Sequence, residues 1–442
     1  MINIDTQTKS ETRLIASQPT VQTYARYKDS GVEWLGEIPE HWDLTRLGTR
    51  FEERKTKVSD KDFPPLSVTK NGTIPQLANA AKSNDGDNRK LVKEGDFVIN
   101  SRSDRKGSSG IAYQDGSVSL IYIVLEPIGI HPVYCNYLLK SYNFIEEFYR
   151  MGHGIVADLW TTRYDEMKFI MVGIPPLPEQ TAIANFLDDK TQKIDQAIGI
   201  KEQQIALLKE RKQILIHKAV TGQLIMENGK WIMTPKEKMK DSGVEWIGEI
   251  PEGWEVKRLK FISKLISEKA SSKESFLPYI GMENIESWTG KHTISDSETE
   301  GLASYFDKGD ILFGKLRPYL AKVYLAEKEG ICSTEFLVYR AGKQIHNFYL
   351  NLMMLSFEFI NLIDSSTYGS KMPRANSDFI GNQLIPTPPL SEQKEISSYI
   401  ESASQKIDTA ISLKTQEIEK LKEYKSSLIN SVVTGKVKII EN

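Results

Sequence analysis

The eleven residues from Asp29 to Pro39, DSGVEWLGEIP, return almost unchanged from Asp241 to Pro251 as DSGVEWIGEIP. The match pairs Trp34 with Trp246, Pro39 with Pro251 and, just beyond, Trp42 with Trp254, all at an offset of 212 residues. In a chain of 442 residues this period marks two nearly equal halves, and an internal repeat governs every later reading of a fold. A second matched block closes each half. IPPLPEQTAI from Ile174 resembles TPPLSEQKEI from Thr387, and KIDQAI from Lys193 resembles KIDTAI from Lys406, at an offset of 213.

The late blocks carry a helical signature. Ile194, Ile198, Ile205, Leu208, Leu215 and Ala219 fall on alternating four- and three-residue steps, the spacing that keeps an apolar seam on one side of a helix. Ile407, Ile411, Ile418, Leu421, Leu428 and Val432 occupy the same places in the second copy, and Lys201 and Lys212 interrupt the first seam where Lys414 and Lys425 interrupt the second. Pro178-Glu179-Gln180 and Ser391-Glu392-Gln393 put acid in each first turn, and Thr221-Gly222 and Thr434-Gly435 supply the stops. From Ile194 to Gly222 such a helix runs roughly 40 Å, and two of them can pair along their seams. A second apolar line, Ile200, Leu207 and Ile214, follows the first helix at seven-residue spacing and weakens to Leu413, Lys420 and Ser427 in the second. It suits a partner contact, or burial against the N-terminal tail or the linker from Leu224 to Lys240.

Between these blocks the halves diverge. KEGDFVIN from Lys93 and DKGDILFG from Asp307 both read as a turn entering a strand, SLIYIVLEP from Ser119 and TEFLVYRA from Thr334 as a later strand. Helical patterns follow from Pro132 and from Asn347. Each half is therefore an α+β globule of about 150 residues followed by a long helix. Scaffold has been kept while two working surfaces differ.

Composition excludes several classes. With 40% hydrophobic and 26% charged residues the chain folds as an ordinary globular protein. It has no apolar run long enough to span a bilayer and no signal-peptide core, which predicts a cytoplasmic protein. A net charge of −2 excludes a uniformly basic nucleic-acid binder but leaves room for a local basic groove. Cys135 and Cys332 lie far apart and the six histidines are scattered, so neither a disulfide framework nor a zinc site is indicated. No phosphate-binding loop, nucleotide-binding glycine fingerprint or Asn-Pro-Pro-aromatic methyltransferase motif occurs. FEERKTK from Phe51 mixes acids and lysines as nucleases do, but reads better as an exposed charged turn or helix. No catalysis is expected of this chain.

The two DSGVEW(L/I)GEIP segments, the PPL(P/S)EQ helix starts, the KID(Q/T)AI seams and the TG(Q/K) stops resemble the specificity subunit of type I restriction-modification systems. YIGMENIE from Tyr279, GDILFGKLRPYL from Gly309, GICSTEFLVYR from Gly330 and GSKMPRANSDFIGN from Gly369 strengthen the likeness, which covers nearly everything after Tyr27. The resemblance implies two target-recognition domains, each reading half of a split DNA site, separated by two helices packed as an antiparallel coiled coil, with an internal pseudo-two-fold repeat. It also implies double-stranded DNA, two methyltransferase subunits and translocating endonuclease subunits as partners, with no membrane. No cofactor is expected on this chain; S-adenosylmethionine would sit on the methyltransferase. Antiparallel pairing would send the globules to opposite ends of a rod comparable with one turn of B-DNA, about 34 Å, and unlike globules would read an asymmetric target.

On this reading residues 1–27 are a tail and 28–178 the first target-recognition domain. A spacer helix over 179–223 and a linker over 224–240 follow. The second domain is 241–390, and 391–442 hold the second spacer helix and C-terminal tail. Base reading needs paired donors and acceptors on exposed loops. The first half offers Lys70 and Asn71, then Arg102, Arg105 and Lys106 in NSRSDRKGSSG, and Arg163 in GHGIVADLWTTRYD. The second offers Asn284 in GMENIE, Lys315, Arg317 and Tyr319 in GKLRPYL, and Lys371 and Arg374 in GSKMPRANSD. Singly each reads as a solvated loop charge; as a set they form a candidate DNA surface. The recurring tryptophans read as packing, with Trp34 and Trp246 pinning each globule onto the helical spacer. The competing function is a coiled-coil adaptor whose two globules bind proteins.

Overall fold

The computed structural model describes residues 22–77, 86–154, 160–271, 276–294, 301–367 and 371–439. The tail before residue 22 and the stretches 155–159 and 368–370, which belong to two of the candidate DNA loops, lie outside them. The chain divides into two units, Met1–Ile200 with Gln416–Asn442 and Lys201–Thr415, and both divisions fall inside a long helix.

In each unit the Gly-Asp pair makes a turn. Gly95 and Gly309 both take φ +88°, a region open to glycine at little cost. Asp96 then accepts the backbone N–H of Lys93 at 2.8 Å, and Asp310 that of Asp307 at 2.8 Å. The strands that follow, Phe97–Asn100 and Ile311–Gly314, are buried throughout. Successive side chains of a strand point to opposite faces. Accordingly Phe97 and Ile99 enter one apolar cluster and Val98 another, while Ile311 and Phe313 part from Leu312 in the same way. That is why these stretches read as unbroken apolar runs rather than alternating ones.

The central sheets share one order. In the first unit it is Ser109–Ile111, Phe97–Asn100, Tyr122–Pro127, Phe51–Glu53; in the second Val323–Leu325, Ile311–Gly314, Phe336–Ala341, Ser263–Ile266, all antiparallel. Each helical pattern proves to be two helices, Pro132–Lys140 with Tyr142–Arg150 and Asn347–Met354 with Phe357–Ser365. The break is a serine in extended conformation, Ser141 or Ser356, whose hydroxyl donates to the carbonyl three residues earlier. A serine competes for backbone in this way wherever a helix can end.

The two buried aspartates need a cation. Arg54 meets Asp96 at 2.7 and 3.1 Å, and Arg340 meets Asp310 at 2.8 and 2.7 Å. The carboxylates are equivalent but the arginines are not: Arg54 follows the strand Phe51–Glu53, whereas Arg340 lies within Phe336–Ala341. Arg54 in the charged FEERKTK stretch therefore serves structure.

The long helices run Leu177–Val220 and Leu390–Val433, 44 residues each, or about 66 Å at ~1.5 Å per residue. Their pairing is antiparallel in each unit. In the second, Lys414 donates to Gln204 at 2.6 Å and Lys212 to Asp408 at 2.9 Å. In the first, Lys425 reaches Asp195 at 2.7 Å, while Ile183, Ala184 and Leu187 share a cluster with Val432 and Val433. Three of the lysines that interrupt the seams, Lys212, Lys414 and Lys425, thus cross to the facing helix, and Lys212–Asp408 and Lys425–Asp195 are one pair with the helices exchanged. Ile194, Ile418 and Leu421 are buried, and Ile198, Ile205, Leu208, Leu215, Ile407, Ile411 and Leu428 half-buried, whereas Ile200, Leu207 and Ile214 stay exposed. The segment read as a linker forms a hairpin, Leu224–Glu227 with Lys230–Met233, whose Trp231 stacks on Tyr399 at 4.4 Å.

The repeated peptide leads into a clasp whose hydrogen bonds come from the tryptophans just beyond it. Trp34 and Trp246 pack on Phe144 and Phe359, inside their own globules. Trp42 instead donates its indole N–H to Glu179 at 3.1 Å, in the first turn of one long helix, and lies against Gly435 at the end of the other. Trp254 likewise donates to Glu392 at 2.8 Å and lies against Gly222. Beside each glutamate a buried glutamine, Gln180 or Gln393, accepts the N–H of His131 or His346 and donates to a proline carbonyl, tying helix start to globule.

Gly222 and Gly435 take φ +75° and +74°, and a Cβ there would lie 2.2 and 2.3 Å from Cδ of Pro251 and Pro39. Gly222→Ala and Gly435→Ala are each expected to destabilise by more than the ~1 kcal/mol of the backbone conformation alone. Gly199→Ala, at an open position inside the first helix, should instead stabilise by up to ~1 kcal/mol. Denaturation midpoints of the three variants check this.

Asp408 also receives Lys291 at 3.0 Å. Burial acts to raise its pKa, but the hydrogen bonds from Lys212 and Lys291 outweigh burial and hold it below 3.8. A depressed carboxylate stabilises above its unfolded pKa, and that contribution fades as pH falls through the folded value. Asp408→Asn should therefore cost on the order of 1 kcal/mol at pH 7, with wild type and variant converging as pH falls well below 3.8. Melting temperature against pH for both proteins decides it.

Candidate nucleic-acid interface

Two candidate loops meet in each unit. In the first, the chain leaves the strand Phe97–Asn100 into a short 3-10 turn, Ser103–Arg105. Ser103 donates to the Trp160 carbonyl at 3.0 Å, Thr162 to the Ser101 carbonyl at 2.9 Å, and Ser101 to the Ile121 carbonyl at 3.4 Å. These bonds set the Arg102 loop beside the Arg163 loop. Arg102, Arg105 and Arg163 are exposed. Lys106 is exposed too, but its ammonium is 2.6 Å from Glu146 and 5.9 Å from the Tyr149 ring centre. Lys70 and Asn71 lie exposed at the tip of a separate hairpin, Leu66–Thr69 with Gly72–Pro75, held by Thr73 donating to the Gly110 carbonyl at 3.1 Å.

The second unit repeats the junction bond for bond. Arg317 donates to the Pro373 carbonyl at 2.8 Å, Ala375 to the Lys315 carbonyl at 2.9 Å, and Lys315 to the Glu335 carbonyl at 2.9 Å. The GKLRPYL and KMPRAN segments, far apart in sequence, become one surface carrying Lys315, Arg317, Tyr319, Lys371 and Arg374. Lys315 and Arg317 are half-buried; Tyr319, Lys371 and Arg374 are exposed.

The side chains on this shared frame differ. Arg317 and Ala321 flank the turn Pro318–Leu320 in left-handed conformation, at φ 51° and 47°. Non-glycine residues in that region cost of order 1–3 kcal/mol each and persist only where the surroundings dictate them. Arg317 is held by its backbone bond and by Nη2 donating to the Lys371 carbonyl at 3.2 Å. Arg374 is clamped by Glu335, Nε at 3.1 Å and Nη2 at 3.0 Å, which raises its pKa further. Among the described residues no such pair holds Arg102, Arg105 or Arg163.

One expected residue is elsewhere. Asn284 is buried, 3% exposed, its Oδ1 accepting the Gly281 N–H at 2.7 Å and its Nδ2 donating to the Thr293 carbonyl at 3.1 Å. The amide closes a loop and is not presented to solvent. Three residues escaped the sequence reading: Glu335, and the exposed apolar Trp160 and Met372 beside the arginines. Glu335 carries no local signal, because its partner lies 39 residues away.

Among the described residues no cluster could hold a metal ion, and no helix is long and apolar enough to cross a membrane. Cys135 and Cys332 are buried, and burial pushes both thiols up, Cys332 to about 12, so neither is a thiolate at neutral pH.

Residues 251–423 match the family model described as type I restriction modification DNA specificity domain. The type I restriction enzyme EcoDI specificity subunit of Escherichia coli is 26% identical over 329 residues, 71% of this chain and 72% of that protein. The type I restriction enzyme MjaVIII specificity subunit of Methanocaldococcus jannaschii is 26% identical over 433 residues, 91% and 94% of the two chains. A chain from a solved structure concerned with complex assembly and conformational transition of the type I R-M system shares the fold, with a TM-score of 0.62 at 14% identity, covering 90% of this chain and 98% of its own. The domain match over residues 251–423, the likeness to two specificity subunits over most of their length and the shared fold make this chain similar to type I restriction-modification specificity subunits.

Proposed function

We propose that the chain is the DNA-sequence-recognition subunit of a type I restriction-modification complex. It reads a bipartite, asymmetric site and directs partner adenine methyltransferase and endonuclease subunits to it, without catalysis of its own. One observation carries the reading: the two globules build the same loop junction with the same backbone bonds and display unlike side chains on it. Thr161 in one stands where Arg374 stands in the other, and Ile121 where Glu335 stands. A frame held constant while its displayed groups vary is what two readers of different sequence require, since backbone geometry positions a domain and side chains discriminate bases.

On this reading the target-recognition domains are residues 28–178 and 241–390, and the helices over 179–223 and from 391 onward form the spacer. Lys70, Asn71, Arg102, Arg105, Lys106 and Arg163 face one half-site; Lys315, Arg317, Tyr319, Lys371 and Arg374 face the other. The exposed line of Ile200, Leu207 and Ile214 suits docking of the methyltransferase, which would bring S-adenosylmethionine. The working place is the cytoplasm. No observation favours the protein-binding adaptor.

Expressed with its cognate methyltransferase in a methylation-free host, the chain should yield a split adenine-methylation motif with unlike halves. A methylome without such a motif would refute the function. Exchanging residues 28–178 for those of a relative with a known target should change one half only. DNA affinity should fall by several powers of ten between about 50 and 200 mM salt if ~6 to 10 phosphates are contacted, whereas an adaptor would hardly respond.

A further inference from the structure

We propose that Arg374 and Glu335 act as a unit that reads a guanine in the half-site of the second globule, with Arg374 touching the base and Glu335 as its positioning residue. The inference rests on the DNA-reading function proposed above and names a contact within it.

The geometry is specific. Glu335 takes Arg374 side-on, through Nε and Nη2. A guanidinium has five N–H groups in a rigid fork, so this clamp leaves the outer edge formed by Nη1 and Nη2 free. Two parallel donors along that edge match O6 and N7 of guanine in the major groove, the pair that a bidentate arginine recognises. Both partners are anchored. The Glu335 backbone accepts Lys315 and donates to Ser333 Oγ, and Arg374 is bridged to Leu316 across the junction. The fork is therefore held before DNA arrives, which spares the cost of ordering a long side chain on binding.

Structural stability does not account for the pair. Arg374 is half exposed and Glu335 a quarter exposed, 50% and 26%, and ion pairs so accessible contribute little to folding. The first globule makes the same junction with Thr161 and Ile121 in these places, so the backbone does not require a charge there. A carboxylate at a surface meant for phosphates also repels DNA, unless its cation gains direction from it.

The experiment uses the full chain with its methyltransferase. Once the wild-type motif is known, Arg374→Ala and Arg374→Lys should each make one guanine of one half-site degenerate and leave the other half intact. In vitro, 7-deazaguanine at that position, which lacks N7, should weaken wild-type binding on the order of tenfold and leave Arg374→Ala indifferent. Glu335→Gln should shrink the same discrimination without changing melting temperature or salt dependence. An unchanged motif in both arginine variants, or wild-type indifference to 7-deazaguanine at every guanine of that half-site, overturns the proposal. Should Glu335→Gln lower the melting temperature and weaken all duplexes alike, its positioning role falls. Wild type without a split motif would instead refute the underlying function.

Discussion

Everything else in this protein is arranged around an indole N–H given to a glutamate in the first turn of a long helix. Trp42 meets Glu179 and Trp254 meets Glu392, and each ring rests on the glycine that ends the opposite helix. A buried indole needs an acceptor, and the positive end of a helix favours a carboxylate. Beside the ring, Pro39 or Pro251 closes the space that only glycine leaves open. The indole thus ties its globule to the start of one helix and lies against the end of the other. The neighbouring glutamines repeat the constraint with neutral hydrogen bonds.

With the junctions held, the globules were free to diverge in a restricted manner. Asp96 and Asp310 keep their turn bonds and their burial, but the arginine that neutralises each comes from a different strand. What physics demands is a cation beside a buried carboxylate, not a cation from a given position. The loop junctions follow the same logic: backbone bonds persist, while Arg374 and Glu335 replace Thr161 and Ile121. The frame is thus held by backbone bonds, and the groups displayed on it differ between the two globules.

Much of the architecture was legible in the chain itself. Helices announce themselves because a 3.6-residue period needs only local sequence, and the shared interruption by lysines at equivalent places marked both seams as one design. Those lysines looked like defects; Lys212, Lys414 and Lys425 proved to be cross-helix partners, since a seam position also faces the neighbouring helix. The candidate site was half legible. Arginines and lysines in Gly- and Ser-rich loops were visible, but Asn284 reads like an exposed amide and is a loop clamp. The part Trp42 plays in the clasp was missed for a related reason, because both tryptophans recur and only the fold shows that the indole of Trp42 meets Glu179.

By itself the sequence determined the duplication, the two long helices with their starts and stops, the α+β character of each globule and the family resemblance. These are patterns carried by neighbours along the chain or by direct repetition. Tertiary structure alone decided which loops lie side by side, which arginine is clamped and which polar groups face inward. Glu335 and Arg374 lie 39 residues apart on either side of a helical pair, and no local period encodes their meeting. Contacts of that kind arise only when strands and loops from distant positions close around a common core.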